Sequence, residues 1–177
     1  MSDQNGFSLW MVPEGNLFEA INREIQDLAK KYNSPVFTPH LTLAPDIKFD
    51  DVPIDKVPEL IEKISSKVEP FNLTIKDIGG QTGSLYQCLY LVCDFPEKLK
   101  NAVKVVRETL GRPTDSPFMP HISICYQPEL KDEEKEKIKA EIRENFVGRS
   151  FRALNIQAYT SGEPVENWER IAETVIK

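Results

Sequence analysis

The chain is poor in histidine: its 177 residues hold only two, His40 and His121. It is also short of cations, with 22 Lys and Arg against 28 Asp and Glu and a formal charge of −6. That balance argues against a broad grip on the phosphate backbone of long nucleic acid, which depends on a basic surface. It leaves room for a small anion in one local pocket. Cysteine is scarce as well. Cys88, Cys93 and Cys125 form an odd set without metal-ligand spacing or a disulfide framework, and a strand through 88–93 turns Cys88 and Cys93 to opposite faces. A reducing compartment, cytoplasmic or nuclear, is expected. No apolar run approaches membrane-spanning length, and "MSDQNGFSLW" lacks a cationic apolar leader. A soluble protein with no membrane partner is therefore expected.

Hydrophobic residues at 40% and charged residues at 28% suit one globular domain over 1–177 with a sizeable interior. "FSLWMV" (7–12) alternates as a strand, with Phe7, Leu9 and Met11 on one face and Ser8, Trp10 and Val12 on the other. Leu17, Ile21, Ile25 and Leu28 then recur at helical spacing through 16–32. "HLTL" (40–43) is a short strand, followed by a Pro- and Asp-rich loop, "APDIKFDDVPIDKVP", and a helix carrying Leu60, Ile61, Ile64 and Val68. Strands are expected at 71–78, 85–93 and 121–125, with the glycine-rich turn "GGQTGS" after the first. Pro96 opens a helix whose buried stripe is Leu99, Val103, Val106 and Leu110, ended by Gly111. "KDEEKEKIKAEIRENF" reads as a helix buried through Ile138, Ile142 and Phe146, its charges a solvated face. "SFRALNIQAY" and "WERIAETVI" close the chain as strands.

The unit of strand, helix and Pro-His strand occurs from Phe7 to Leu43 and again from Leu85 to Ile124. The expected fold class is α+β, a pseudo-twofold arrangement of two lobes with antiparallel sheets, each with one covered and one open face. The two histidines sit at matching places in it. "NSPVFTPHLTLAPDI" and "TDSPFMPHISICYQ" both read Ser-Pro, a spacer, Pro-His, an apolar residue, a hydroxyl residue and another apolar one. In a strand, His40 projects with Thr42 and His121 with Ser123, while Leu41, Leu43, Ile122 and Ile124 turn inward. Two such strands facing each other put two imidazoles and two hydroxyls around one pocket. One neutral imidazole can take a proton from water while the other, protonated, gives one to a leaving oxygen, and the hydroxyls can hold phosphoryl oxygens. Two histidines without a suitably spaced carboxylate or cysteine make a poor zinc site, and the scheme needs no metal.

"PHLTL" and "PHISI" resemble the paired His-x-Thr/Ser-x motifs of the 2H phosphoesterase superfamily. "FSLWMVP", "SPVFTPHLTL", "YQCLYL" and "PHISICY" are more specifically similar to the plant and fungal cyclic phosphodiesterase family, over most of the chain. The resemblance implies a bilobal α+β fold, two antiparallel sheets lining a central cleft with helices on the outer faces. It also implies hydrolysis without a cofactor of ADP-ribose 1″,2″-cyclic phosphate, a by-product of tRNA splicing, and of nucleoside 2′,3′-cyclic phosphates. The products would be ADP-ribose 1″-phosphate and nucleoside 2′-phosphates. By the same resemblance His40 and His121 are the acid/base pair and Thr42 and Ser123 the phosphate ligands. Analogy gives His121 the water and His40 the leaving group, roles that the sequence itself leaves open. Tyr126 matches a tyrosine near the site in that family, which requires the strand to end or twist after Cys125. Trp10 and Tyr86 are candidates for touching base or ribose, and Cys125, on the His121 face, for lining the cleft without acting as a nucleophile. The cysteine pattern departs from that of plant members, so no structural disulfide is expected. A monomer acting on a small cyclic phosphate is the leading reading. A phosphodiesterase for the 2′,3′-cyclic end of RNA and a non-catalytic phosphate-binding module are the alternatives.

Overall fold

A computed structural model of the chain describes residues 5–177. Eight strands and four α-helices form among them. The first strand, β1 (Gly6–Met11), is followed by helix α1 (Gly15–Tyr32) and β2 (Leu41–Lys48). Helix α2 (Val57–Ser65) and strands β3 (Phe71–Gly79) and β4 (Leu89–Cys93) come next. Then follow α3 (Glu97–Thr109), β5 (His121–Cys125), α4 (Asp132–Phe146), β6 (Ser150–Ala153), β7 (Asn155–Thr160) and β8 (Arg170–Val175).

The strands lie in the order β6-β3-β4-β5-β2-β1-β7-β8, antiparallel throughout. The seam is in the middle, where β2 and β5 share the single register pair Leu41↔Ile122. Four strands fall on each side of it, which is the expected pair of antiparallel sheets. The half made of β3 to β6 is continuous in sequence. The other half joins β1 and β2 to β7 and β8. The halves are interleaved by their helices: α1, which follows β1, packs against β5, and α3, which follows β4, packs against β2.

Each helix is bounded by local chemistry. Asn33 closes α1 in the left-handed conformation (φ 52°), a position asparagine tolerates, after Lys30 and Lys31 in the last turn. Pro58 sits in the first turn of α2, where its missing N–H costs nothing. Asp132, Glu133 and Glu134 face the positive end of the α4 dipole. The apolar stripes, among them Leu17, Ile21, Ile61, Leu99, Val106 and Ile138, join the inward strand residues Phe7, Leu9, Leu41, Ile122 and Ile124 in one core. Helices therefore cover one face of the sheet, and the alternate strand residues are left to the other.

Four expectations needed correction. β2 runs on to Lys48, where a loop was expected after Leu43, because it bulges at Pro45 and Asp46 and pairs again with β1 through Ile47 and Lys48. β4 starts at Leu89: residues 85–88 form a turn, in which Ser84 Oγ accepts the Gln87 N–H. "SFRALNIQAY" divides at Leu154 into β6 and β7, which pair with β3 and β1 at opposite ends of the sheet. "WERIAETVI" contributes strand only from Arg170, with Trp168 ending a short 3-10 turn, Val165–Asn167. Among the described residues, no helix is long and apolar enough to cross a membrane, and Cys88, Cys93 and Cys125 are free thiols.

Candidate active site

Cross-strand pairing sets the site. Trp10 on β1 lies opposite Thr42 on β2, and Tyr90 on β4 lies opposite Ser123 on β5. Each pair carries a histidine beside it, His40 immediately before β2 and His121 as the first residue of β5. The two halves therefore present the same constellation, an aromatic ring, an imidazole and a hydroxyl, on either side of the seam.

The imidazoles are oriented alike. His40 Nδ1 lies 2.6 Å from the carbonyl of Thr38, and His121 Nδ1 lies 2.8 Å from the carbonyl of Met119. A carbonyl only accepts, so Nδ1 is the protonated nitrogen in both rings and Nε2 carries the free lone pair in the neutral form. Pro39 and Pro120 favour the extended entrance to each strand that makes this local contact possible. Both imidazoles line one cavity of about 360 Å³.

That cavity brings together seven of the eight residues singled out from the sequence: His40, His121, Thr42, Ser123, Tyr126, Trp10 and Tyr86. Tyr126 reaches it because β5 ends at Cys125; its ring then stacks on Phe37 at 3.9 Å. Burial pushes the Tyr126 phenol well above the usual tyrosine range, with its hydrogen-bonded contact to Ser123 opposing, so the hydroxyl stays protonated. Ser123 Oγ–H donates to the Tyr86 carbonyl at 2.8 Å and ties the 80s turn to β5. The expectation for Cys125 fails. It is 1% exposed, packs in the core, and has its thiol beside Ser34 Oγ at 3.6 Å. Contact with the Cys88 thiol, then burial, push its pKa up, leaving no reactive thiolate.

Trp168 was not anticipated. It lines the same cavity, and its Nε1–H donates to the Gly162 carbonyl at 2.6 Å. The signal was "SGEPVENWE", a tryptophan just after a Gly- and Pro-containing turn, where a large ring has no strand partner to bury it. Asp46 also lines the cavity, on the β2 bulge, with φ 53°. Arg112 forks onto the carbonyls of Pro45 (2.7 Å) and Asp46 (2.9 Å) and fixes that bulge from outside.

The electrostatics of the two histidines differ. His40 is 4% exposed and lies flat under Trp10, whose ring is also stacked on Tyr159 on its other side. Burial lowers its pKa to about 4; the hydrogen bond to Thr38 opposes the shift and nearby His121 adds to it. No Lys or Arg lines the cavity among the described residues, and Asp46 is its one carboxylate. Among the same residues, no group of three His, Cys, Asp or Glu side chains has metal-binding placement.

The chain matches the family model "Cyclic phosphodiesterase-like protein" over residues 5–176. It is 23% identical over 172 residues to the cyclic phosphodiesterase of Arabidopsis thaliana, covering 94% of this chain and 92% of that one. Among solved structures, the fold is similar to Escherichia coli LigT complexed with 3′-AMP, at a TM-score of 0.63 and 18% identity over 97% of this chain and 98% of that one. The protein TT0787 of Thermus thermophilus matches at a TM-score of 0.60 and 14% identity, over 96% and 97% of the two chains. With a duplicated α+β frame, a seam flanked by two Pro-His strands and a family match along nearly its whole length, the chain belongs to the cyclic phosphodiesterase-like family of 2H phosphoesterases.

Proposed function

We propose that this protein hydrolyses small cyclic phosphodiesters, ADP-ribose 1″,2″-cyclic phosphate to the 1″-phosphate and nucleoside 2′,3′-cyclic phosphates to nucleoside 2′-phosphates, by metal-independent two-histidine catalysis. The observation that carries the reading is the matched pair of imidazoles. Both have Nδ1 fixed on a backbone carbonyl, leaving Nε2 to serve one cavity flanked by two hydroxyls. In a 2′,3′-cyclic ester, water attacks phosphorus as its proton passes to one Nε2. The bond from phosphorus to O3′ breaks as the other imidazolium gives its proton to that oxygen. Proton exchange with solvent resets the pair.

Thr42 and Ser123 hold the non-bridging oxygens, Ser123 exchanging the Tyr86 carbonyl for a phosphate oxygen as its acceptor. Protonated Tyr126 is a third donor beside them. With no Lys or Arg in the lining, the imidazolium is the cation that meets the phosphate charge. If His121 activates water and His40 serves the leaving group, as the family resemblance implies, His40 must bind a proton that burial disfavours. The anionic phosphate supplies the attraction that restores it. The site is complete within one chain, in keeping with a monomer.

Incubation with ADP-ribose 1″,2″-cyclic phosphate, followed by phosphorus NMR of the products, tests substrate and cleaved bond together. Turnover that survives a chelator and is lost in His40→Ala and His121→Ala is the expected result. Full activity in either variant overturns the reading. A higher rate on a cyclic-ended RNA oligomer than on a cyclic mononucleotide would reassign the substrate.

A further inference from the structure

Tyr86 and Trp168 come from different halves of the molecule, Tyr86 from the β3–β4 connection and Trp168 from the β7–β8 connection, and both line the cavity. Their rings lie 22° from parallel with centroids 6.3 Å apart. Rings in direct face contact here are far closer, Trp10 to His40 at 3.5 Å and Trp10 to Tyr159 at 4.1 Å. Two successive face contacts of about 3.5 Å each need roughly 7 Å, slightly more than the observed separation. Tyr86 is 43% exposed and can give the remaining fraction of an ångström toward solvent. The inner end is closed by Tyr126, whose ring stands at 82° to Tyr86 and 70° to Trp168.

Both walls are placed by the site itself. Trp168 is held by its bond to Gly162, and the Tyr86 backbone lies against Ser123, bonded to its hydroxyl until the phosphate takes that donor. A flat ring between the walls therefore lies beside the phosphate position. We infer that Tyr86 and Trp168 sandwich the nucleobase of a nucleoside 2′,3′-cyclic phosphate, making the base a recognised part of that ligand and not a passive substituent. The inference rests on the hydrolytic reading above and adds a subsite to it. Stacking of this kind is tolerant of base identity, since every base has a π-face, so discrimination is expected between substrates with and without a base.

The test is a ratio: kcat/KM for adenosine 2′,3′-cyclic phosphate over that for methyl ribofuranoside 2,3-cyclic phosphate, which lacks the base. Trp168→Ala and, separately, Tyr86→Ala are expected to lower that ratio about tenfold, as loss of one base stack does. Trp168→Phe should keep most of it. An unchanged ratio in both alanine variants, including an equal loss on the two esters, overturns the slot. A second readout does not depend on turnover. Adenosine 2′-monophosphate titrated into the native protein should show its adenine proton resonances moving upfield, an effect lost in Trp168→Ala. Phosphorus shifts on binding without any upfield movement of the adenine protons overturn the slot and leave the hydrolytic reading standing. Upfield movement in a protein that hydrolyses neither ester leaves the slot standing and overturns hydrolysis.

Discussion

Trp10 lies flat on His40, with ring centroids 3.5 Å apart and planes 9° from parallel. Its counterpart across the seam, Tyr90, meets His121 edge-on, at 5.1 Å and 62°. The backbone frame is duplicated but the ring environments are not. One imidazole is sealed beneath an indole and the other is left half-buried at the cavity wall. The two halves thus give two histidines of the same tautomer with different access to water.

Removing the cover is expected to change the proton affinity of His40. In Trp10→Ala, water reaches the ring, and its pKa should rise from about 4 toward the ordinary 6.5. Nitrogen-detected NMR of the imidazole gives the value directly. A pKa that stays near 4 would mean that something other than the indole excludes water. The variant also loses a large buried side chain and should be less stable by about 3–5 kcal/mol. Trp10→Phe separates the effects by keeping the stack.

The burial of His40 makes folding sensitive to acid. Its folded pKa, about 4, lies below the unfolded 6.5. Above 6.5 the ring is neutral in both states and contributes nothing. As pH falls below 6.5 the unfolded chain binds a proton that the folded chain refuses, so stability declines until about pH 4 and then levels off. The gap corresponds to roughly 3 kcal/mol. Urea unfolding of the native protein and of His40→Gln across this window should show the extra loss in the native protein alone.

Because the two imidazoles act on one proton inventory, their removal should not add. His40→Gln and His121→Gln are each expected to cost about 10²–10⁴ in kcat. The double variant should be no slower than the slower single one, since either loss already breaks the relay. Multiplying penalties would point to two independent contributions and away from a coupled pair.

Gly79 leaves the space that Tyr90 fills. A Cβ there would lie 2.5 Å from Tyr90 Cε2, 2.7 Å from Cζ and 2.9 Å from Oη. Gly79→Ala must therefore push the Tyr90 ring against His121. A stability loss of about 1–3 kcal/mol and a fall in kcat are expected. Adding Tyr90→Leu, which removes the ring that clashes, should recover stability. Recovery of stability without recovery of kcat would show that the ring itself, as well as its position, matters to His121.

The frame was legible in the sequence because each Pro-His strand repeats a period-two pattern that can be satisfied in only one register. With Leu41 and Ile122 buried, His40, Thr42, His121 and Ser123 have one face left to occupy. Less visible were features set by distant partners. The extension of β2 through Pro45 and Asp46 looks like a loop until Ile47 and Lys48 find β1. The division at Leu154 reflects two binding edges more than any local break. Cys125 leaves the alternation at a register shift between Ser123 and Cys125, which pairs it with Leu89 and turns it to the core beside Cys88 and Ser34. Trp168 depends on a turn whose position is fixed only by β7 and β8.

The arrangement of β1 between β2 and β7 has a consequence during synthesis. One edge of β1 finds β2 early, but the other waits for Asn155–Thr160, made after β1 to β6. Half of the seam's frame therefore stays open until β7 is made, while the continuous half, β3 to β6, can already pair within itself. Trp10 emerges with the first of the eight strands and Tyr159, which stacks on it, with the seventh. The cavity is thus closed only after the continuous half has been made. A ribosome-stalled product ending before residue 155 should carry both histidines, both motif hydroxyls and no finished site to use them.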